Sequence, residues 1–179
     1  MHNDIAYILK TREEIAERVR ELGRKITRDY AGKQPLLVCL LKGSCVFFAD
    51  LIREIDLPVQ LEFMRTSSYG AATVSSGTVT IIGSLDDKIK GKDVILVEDI
   101  IDSGRTLSFV KSDMLSKGVE SLKICSLLDK PARRVVKIDG DYVGFEVPDA
   151  FIVGCGLDYN QQYRNLPYIG VLKPEIYGA

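Results

Sequence analysis

Two stretches of the chain are apolar at nearly every position, PLLVCLL (Pro35–Leu41) and VILV (Val94–Val97). A strand with one wet face alternates polar and apolar residues, so these runs predict strands covered on both faces, as in a parallel sheet. Ile15, Val19, Leu22 and Ile26 recur at helical spacing, with Thr11 and Glu14 as a capping box and Gly32 as a stop signal. CVFFADLIREI (Cys45–Ile55) predicts a second helix, and Leu107, Val110 and Met114 mark another. Val59, Leu61 and Phe63 alternate with polar residues, which predicts a strand. TVTIIGSL, SLKICSLLDK and DAFIVGCGLDYN complete the strand set, and DDKIKGKD reads as a charged turn. Between Ser67 and Gly77, SSYGAATVSSG holds little that could pack, and a loop of that length suggests a lid over about residues 66–78. Strands alternating with helices predict an α/β fold with a mostly parallel sheet in one domain, residues 1–179. The piece from Tyr159 onward, with Pro167 and Pro174, fits a cap or hood better than a further strand–helix unit.

Composition narrows the partners. The 179 residues suit one domain with its own core, and a net charge of −1 argues against broad attraction to nucleic acid or an anionic membrane. No apolar stretch approaches the roughly 18 residues of a spanning helix, and MHNDIAYILKTREE lacks a signal-peptide run. Cys39, Cys45, Cys125 and Cys155 stand singly, and three of them lie in or beside apolar runs as small core residues. The expectation is a reduced, cytoplasmic protein. His2 is the sole histidine and lies on a terminus expected to be mobile. Histidine-based triads and the common zinc sites are thereby excluded, which leaves carboxylates, lysine, tyrosine or water for proton transfer.

The polar residues of VILVEDIIDSGRTL (Val94–Leu107) fall where an α/β sheet binds ligands, beyond the carboxyl end of a strand. Ser103, Gly104, Arg105 and Thr106 make a strand-to-helix turn whose free amides and hydroxyls favour an anion. The turn is too short for the GxxxxGK[ST] loop of nucleoside triphosphate enzymes and suits one phosphate monoester. Glu98 and Asp99 are adjacent carboxylates that would repel each other unless a cation or hydroxyl donors intervened. Magnesium and two ribose hydroxyls would satisfy both. Asp102 is a third carboxylate, nearer the phosphate and placed for proton transfer. The bland alternative is a solvated acidic turn.

This stretch resembles the signature of the phosphoribosyltransferases, which use 5-phosphoribosyl diphosphate. LLKGS, the SSYG loop, LLDKPARR and VGFEVPDAFIVGCGLDYNQQYRNLP extend the likeness in the same order from about Leu36 to Ile169. Together they are similar to the hypoxanthine-guanine phosphoribosyltransferases of bacterial type. The resemblance implies the type I phosphoribosyltransferase fold, with helices flanking the sheet and a small hood formed by the terminal segments. It implies that Glu98 and Asp99 hold the ribose hydroxyls and their magnesium, and that Asp102 is the general base/acid at the purine imidazole-ring nitrogen. Ser103, Gly104, Arg105 and Thr106 would seat the 5-phosphate. Lys42 and Gly43 would meet diphosphate through backbone amides, with the Leu41–Lys42 peptide cis, and Arg164 would bind diphosphate as well. Lys130 would donate to the oxygen at purine position six, Phe151 would stack on the base and Ile152 would contact its edge. Asp158 would reach a second magnesium near the purine, and Ser68 and Tyr69 would belong to the lid. Ser44 stands where many relatives carry a second glycine. By pattern alone, LKGS is an ordinary turn, Lys130 a surface lysine, and Phe151 and Ile152 core residues.

The implied reaction passes the 5-phosphoribosyl group to hypoxanthine or guanine, giving IMP or GMP and diphosphate with Mg²⁺ as cofactor, in a homodimer or homotetramer. One rival is an RNA-binding regulator of pyrimidine genes on the same fold, which would need a basic face. Another is a xanthine-preferring enzyme differing only in its base pocket. A receiver-like binding domain would leave the SGRT turn unexplained.

Overall fold

The two apolar runs lie side by side at the centre of a six-stranded sheet. The computed structural model describes residues 1–68, 79–82 and 85–178. In chain order its elements begin with β1 (Ile5–Lys10), α1 (Arg12–Asp29), β2 (Leu36–Leu41), α2 (Cys45–Arg53) and β3 (Gln60–Ser68). β4 (Val79–Ile82), the one-turn α3 (Asp86–Ile89), β5 (Asp93–Ile101), α4 (Arg105–Ser116) and β6 (Ser121–Asp129) follow. β7 (Tyr142–Glu146), β8 (Ile152–Val153), β9 (Ile169–Leu172) and the short α5 (Pro174–Tyr177) end the order. The main sheet runs β4-β3-β2-β5-β6-β7. Five of these strands are parallel, and β4 is antiparallel to β3. A second, three-stranded antiparallel sheet, β1-β9-β8, draws on both ends of the chain.

Burial on both faces explains the uninterrupted hydrophobicity. Leu37 and Cys39 of β2, with Ile95 and Val97 of β5, pack toward Ile15, Val19, Leu22 and Ile26 of α1 and Phe47 and Leu51 of α2. Their neighbours Leu36, Val38, Leu40, Val94 and Leu96 point the other way, into a core with Leu107, Val110 and Met114 of α4. Each such side chain contributes about 1.5–3 kcal/mol through removal from water. The capping box at Thr11 is formed, with Thr11 Oγ1 accepting from the Glu14 amide at 3.2 Å and Glu14 Oε2 accepting from the Thr11 amide at 2.8 Å. Thr11→Ala should therefore lower the unfolding free energy by about 1 kcal/mol, measurable by urea denaturation.

Several expectations need correction. β1, β7 and β9 were not anticipated, and DAFIVGCGLDYN supplies only the two-residue β8 in the smaller sheet. The charged segment DDKIKGKD contains one helical turn, α3. Phe63 is 54% exposed although it follows the alternating pattern, and its ring lies tilted against that of Phe48 at 5.6 Å. His2 is held by its Nδ1 contact with the Tyr168 hydroxyl at 2.7 Å rather than being free.

The chain turns one way from β2 to β3 and the other way from β5 to β6, so a crevice opens between the carboxyl ends of β2 and β5. Pairing between these strands stops at Cys39 and Val97, whereas β5 stays paired with β6 as far as Ile101 and Asp129. Glu98 and Asp99 therefore emerge where β2 has turned away.

Candidate active site

Three groups of side chains meet at this crevice. The first joins the β2 turn to β5. Leu41–Lys42 is a cis peptide. A Cβ on Gly43 would lie 1.6 Å from Asp99 Oδ2, and one on Gly156 would lie 1.9 Å from the Gly43 carbonyl oxygen. Only glycine permits these backbones to close on the Asp99 carboxylate. Ser44 has ordinary helical angles, φ −66° and ψ −13°, and its buried hydroxyl donates to the Leu40 carbonyl. Serine thus fits this position without glycine's freedom.

Burial governs the adjacent carboxylates. Glu98 is pushed well above the usual carboxylate range by desolvation and then by the charge of Asp99, and its Oε2 has no hydrogen-bond partner among the described residues. Asp99 is raised from 3.8 to about 6, chiefly by burial, despite accepting from the Ile100 amide at 2.8 Å and despite the Arg164 charge. Between pH 4 and 6 the folded state consequently holds more of the Asp99 proton than the unfolded chain does, so this residue's contribution to stability falls as pH rises through that window. Asp99→Asn should raise the melting temperature of the ligand-free protein at pH 7.5, with the gain shrinking toward pH 4. A lower melting temperature at pH 7.5 would contradict the assignment of burial as the dominant cause.

The second group comes from the loop after β8. Arg164 pairs with Asp158 at 2.7 Å and donates to the Gly156 carbonyl at 2.7 Å. The Gln161 amide donates to Asp158 Oδ2 at 2.8 Å, while its side-chain oxygen accepts from Lys42 Nζ at 3.4 Å. Cys155, Asn160, Gln161 and Tyr163 all have positive φ without being glycine, a concentration of strain of the kind found at ligand-binding loops. Lys42, Gly43, Asp158 and Arg164 are thereby brought close to Asp99.

The third group lines a cavity of about 340 Å³ that includes Asp102, Lys130, Phe151, Ile152 and Asp158, within the size range of small-molecule sites. Lys130 is 6% exposed, donates to the Ala150 carbonyl at 2.8 Å, and has its pKa lowered by burial. It is no surface lysine. Phe151 stacks on Tyr177 with ring centroids 4.7 Å apart and meets the edge of Tyr159 at 5.4 Å. Asp102 Oδ1 lacks a hydrogen bond among the described residues, and its nearest cation is Arg133 Nε at 3.7 Å.

Between these groups, Ser103 and Gly104 lead into α4. Gly104 has φ +81°, and a Cβ there would lie 2.7 Å from Ile138 Cγ2, so glycine is needed for both conformation and space. The N-cap residue Gly104 has no side chain to cap this helix; Ser103 Oγ accepts from the Arg105 amide at a long 3.4 Å, a contact that an anion could replace. Ser68 ends β3, and Tyr69 lies outside the described residues. Sequence reasoning passed over Gln161, Arg133, Arg134 and Tyr177. Only the DKPARR run hinted at the two arginines.

Among the described residues no group of three or more His, Cys, Asp or Glu side chains could enclose a metal. Magnesium commonly keeps water and substrate oxygens and takes only one or two carboxylates from the protein. A solvent-poor carboxylate pair with an unpartnered oxygen fits that manner of binding, and zinc-like enclosure is not offered here.

Residues 8–160 match the phosphoribosyl transferase domain family. The chain belongs to that family. The hypoxanthine-guanine phosphoribosyltransferase of Streptococcus thermophilus is 53% identical over 177 residues, covering 99% of this chain and 98% of the relative. The bifunctional protein TilS/HprT of Listeria monocytogenes is also 53% identical, but the chain spans only 27% of its length. Among solved structures, a hypoxanthine phosphoribosyltransferase from Staphylococcus aureus aligns with a TM-score of 0.94 at 49% identity, covering 99% of this chain and 96% of that one.

Proposed function

We propose that this protein transfers the 5-phosphoribosyl group from 5-phosphoribosyl diphosphate to hypoxanthine, and to guanine, releasing diphosphate and IMP or GMP in purine salvage. The observation that carries this reading is the placement of Lys130 and Asp102 in one cavity beside the Ser103–Thr106 turn. A buried cation beside the base favours the 6-oxo group, and the neighbouring carboxylate can handle the ring-nitrogen proton.

In this mechanism the amides and hydroxyls of Ser103, Gly104, Arg105 and Thr106 hold the 5-phosphate. Glu98 and Asp99 orient the ribose hydroxyls, and Lys42, Gly43 and Arg164 hold diphosphate. Phe151 stacks on the purine, Ile152 fixes its edge through the backbone, and Lys130 donates to the oxygen at position six. As the bond from C1 to diphosphate breaks and the bond to the purine nitrogen forms, Asp102 takes the proton from the imidazole ring. No covalent enzyme intermediate is needed, and the oxocarbenium-like sugar must be shielded from water. The covering role of residues 66–78, with Ser68 and Tyr69, belongs to the same proposal. Magnesium, held near Glu98, Asp99 and Asp158, would neutralise the leaving diphosphate. One domain with the β1-β9-β8 sheet as its hood, a cytoplasmic location and a homodimer or homotetramer complete the reading. Among the described residues no helix is long and apolar enough to cross a membrane.

The test mixes protein, Mg²⁺ and 5-phosphoribosyl diphosphate with each base separately and measures diphosphate release. Hypoxanthine and guanine should react. Preference for xanthine would revise the base assignment, and reaction with uracil alone, or RNA binding without transfer, would replace it with the regulator.

A further inference from the structure

Residues 130–136 wrap over the β5-to-α4 turn and hold three successive carbonyls of it. The Lys130 amide donates to the Ile101 carbonyl at 3.0 Å. The amides of Val135 and Val136 donate to the Ser103 carbonyl at 2.9 and 3.0 Å. Between them, the Asp102 carbonyl receives the only side-chain donor of the set, Arg134 Nη1 at 2.8 Å. The same guanidinium binds the Asp129 carboxylate through Nη2. Both side chains are largely enclosed, at 15% and 19% exposure. The turn is tightly covered at its far end as well, since a Cβ on Gly104 would lie 2.8 Å from the Val136 carbonyl oxygen.

In a trans peptide the carbonyl and the following N–H point in opposite directions. Drawing the carbonyls of Ile101, Asp102 and Ser103 toward residues 130–136 turns the amides of Asp102, Ser103 and Gly104 away from them. Among the described residues, the Ser103 and Gly104 amides have no hydrogen-bond partner. They are left for a ligand.

We infer that Arg134 is a positioning residue: its guanidinium ties the Asp102 peptide to Asp129 and so aims the phosphate-seat amides and the Asp102 side chain. This inference rests on the proposed phosphate seat. Its fork serves two acceptors at a fixed angle, which a lysine ammonium cannot do from the same stem.

Arg134→Ala alone would strand the enclosed Asp129 carboxylate, and a folding defect would then obscure the result. Two cleaner variants are Arg134→Lys, which keeps a cation for Asp129, and the double variant Asp129→Ala/Arg134→Ala, which removes both charges. Melting curves establish that each is folded. In the folded variants the affinity for ribose 5-phosphate, measured by calorimetry, should fall about tenfold, the scale of one lost hydrogen bond to a charged group. The KM for 5-phosphoribosyl diphosphate should rise and kcat should fall, while the KM for hypoxanthine stays unchanged. A merely structural role would weaken both substrates together, and that result, or an unchanged ribose 5-phosphate affinity, would overturn the inference. The binding comparison decides the matter even where the wild type transfers to no base, an outcome that would sink the proposed activity alone.

Discussion

Replacing Asp102 by asparagine should lower turnover roughly 10²–10⁴-fold, the range supplied by general acid–base catalysis. The substitution preserves size and planarity but removes the group able to take up and return a proton. Asp102 borders the base cavity, its Oδ1 is without a hydrogen bond among the described residues, and its charge is offset by Arg133 at 3.7 Å and by the nearby Lys130 ammonium. Nothing in the described protein occupies the oxygen that would face the purine nitrogen. The KM for 5-phosphoribosyl diphosphate should stay close to wild type, because the turn that follows is held through backbone carbonyls rather than through this side chain. Steady-state kinetics separate the two quantities. Near-normal turnover would remove Asp102 from the proton transfer.

The second large effect concerns the base. Lys130→Ala should raise the KM for hypoxanthine by roughly 10–100-fold, the scale of a lost charge-assisted hydrogen bond, while leaving that for 5-phosphoribosyl diphosphate unchanged. The ammonium is enclosed and now donates to the Ala150 carbonyl, so it is already aimed into the cavity rather than into solvent. Burial lowers its pKa, which favours an acceptor that restores the lost solvation, as a purine carbonyl would. Loss of base affinity without loss of diphosphate affinity would support this assignment. Untouched base affinity would contradict it.

The legible parts of the fold were those where burial constrains every residue. β2 and β5 are covered on both faces, so their apolar runs announce them, and α1 carries its capping box openly. β1, β7 and β9 escaped because they lack such uninterrupted apolar runs and take their identity from pairing partners distant in the chain. β1 pairs with β9, for example, across more than 150 residues. In the site, EDIIDSGRT was readable because unlike chemical demands met in one short stretch. Lys130, Phe151 and Asp158 came only through the resemblance, since nothing local distinguishes an enclosed lysine from an exposed one. Arg134 was hidden for a further reason. Arg133 and Arg134 are adjacent in sequence, and only the folded chain turns one toward Asp129 and leaves the other near Asp102 and Asp149. The left-handed residues from Cys155 to Tyr163 are equally silent, because backbone strain there falls on residues other than glycine.

The most direct measurement is a crystal structure of the protein with bound IMP. The account predicts the phosphate on the amides of residues 103–106, the purine ring on Phe151, Lys130 Nζ within hydrogen-bond distance of the oxygen at position six, and Asp102 at the imidazole-ring nitrogen. A nucleotide bound elsewhere, or with its base away from Lys130 and Phe151, would contradict it.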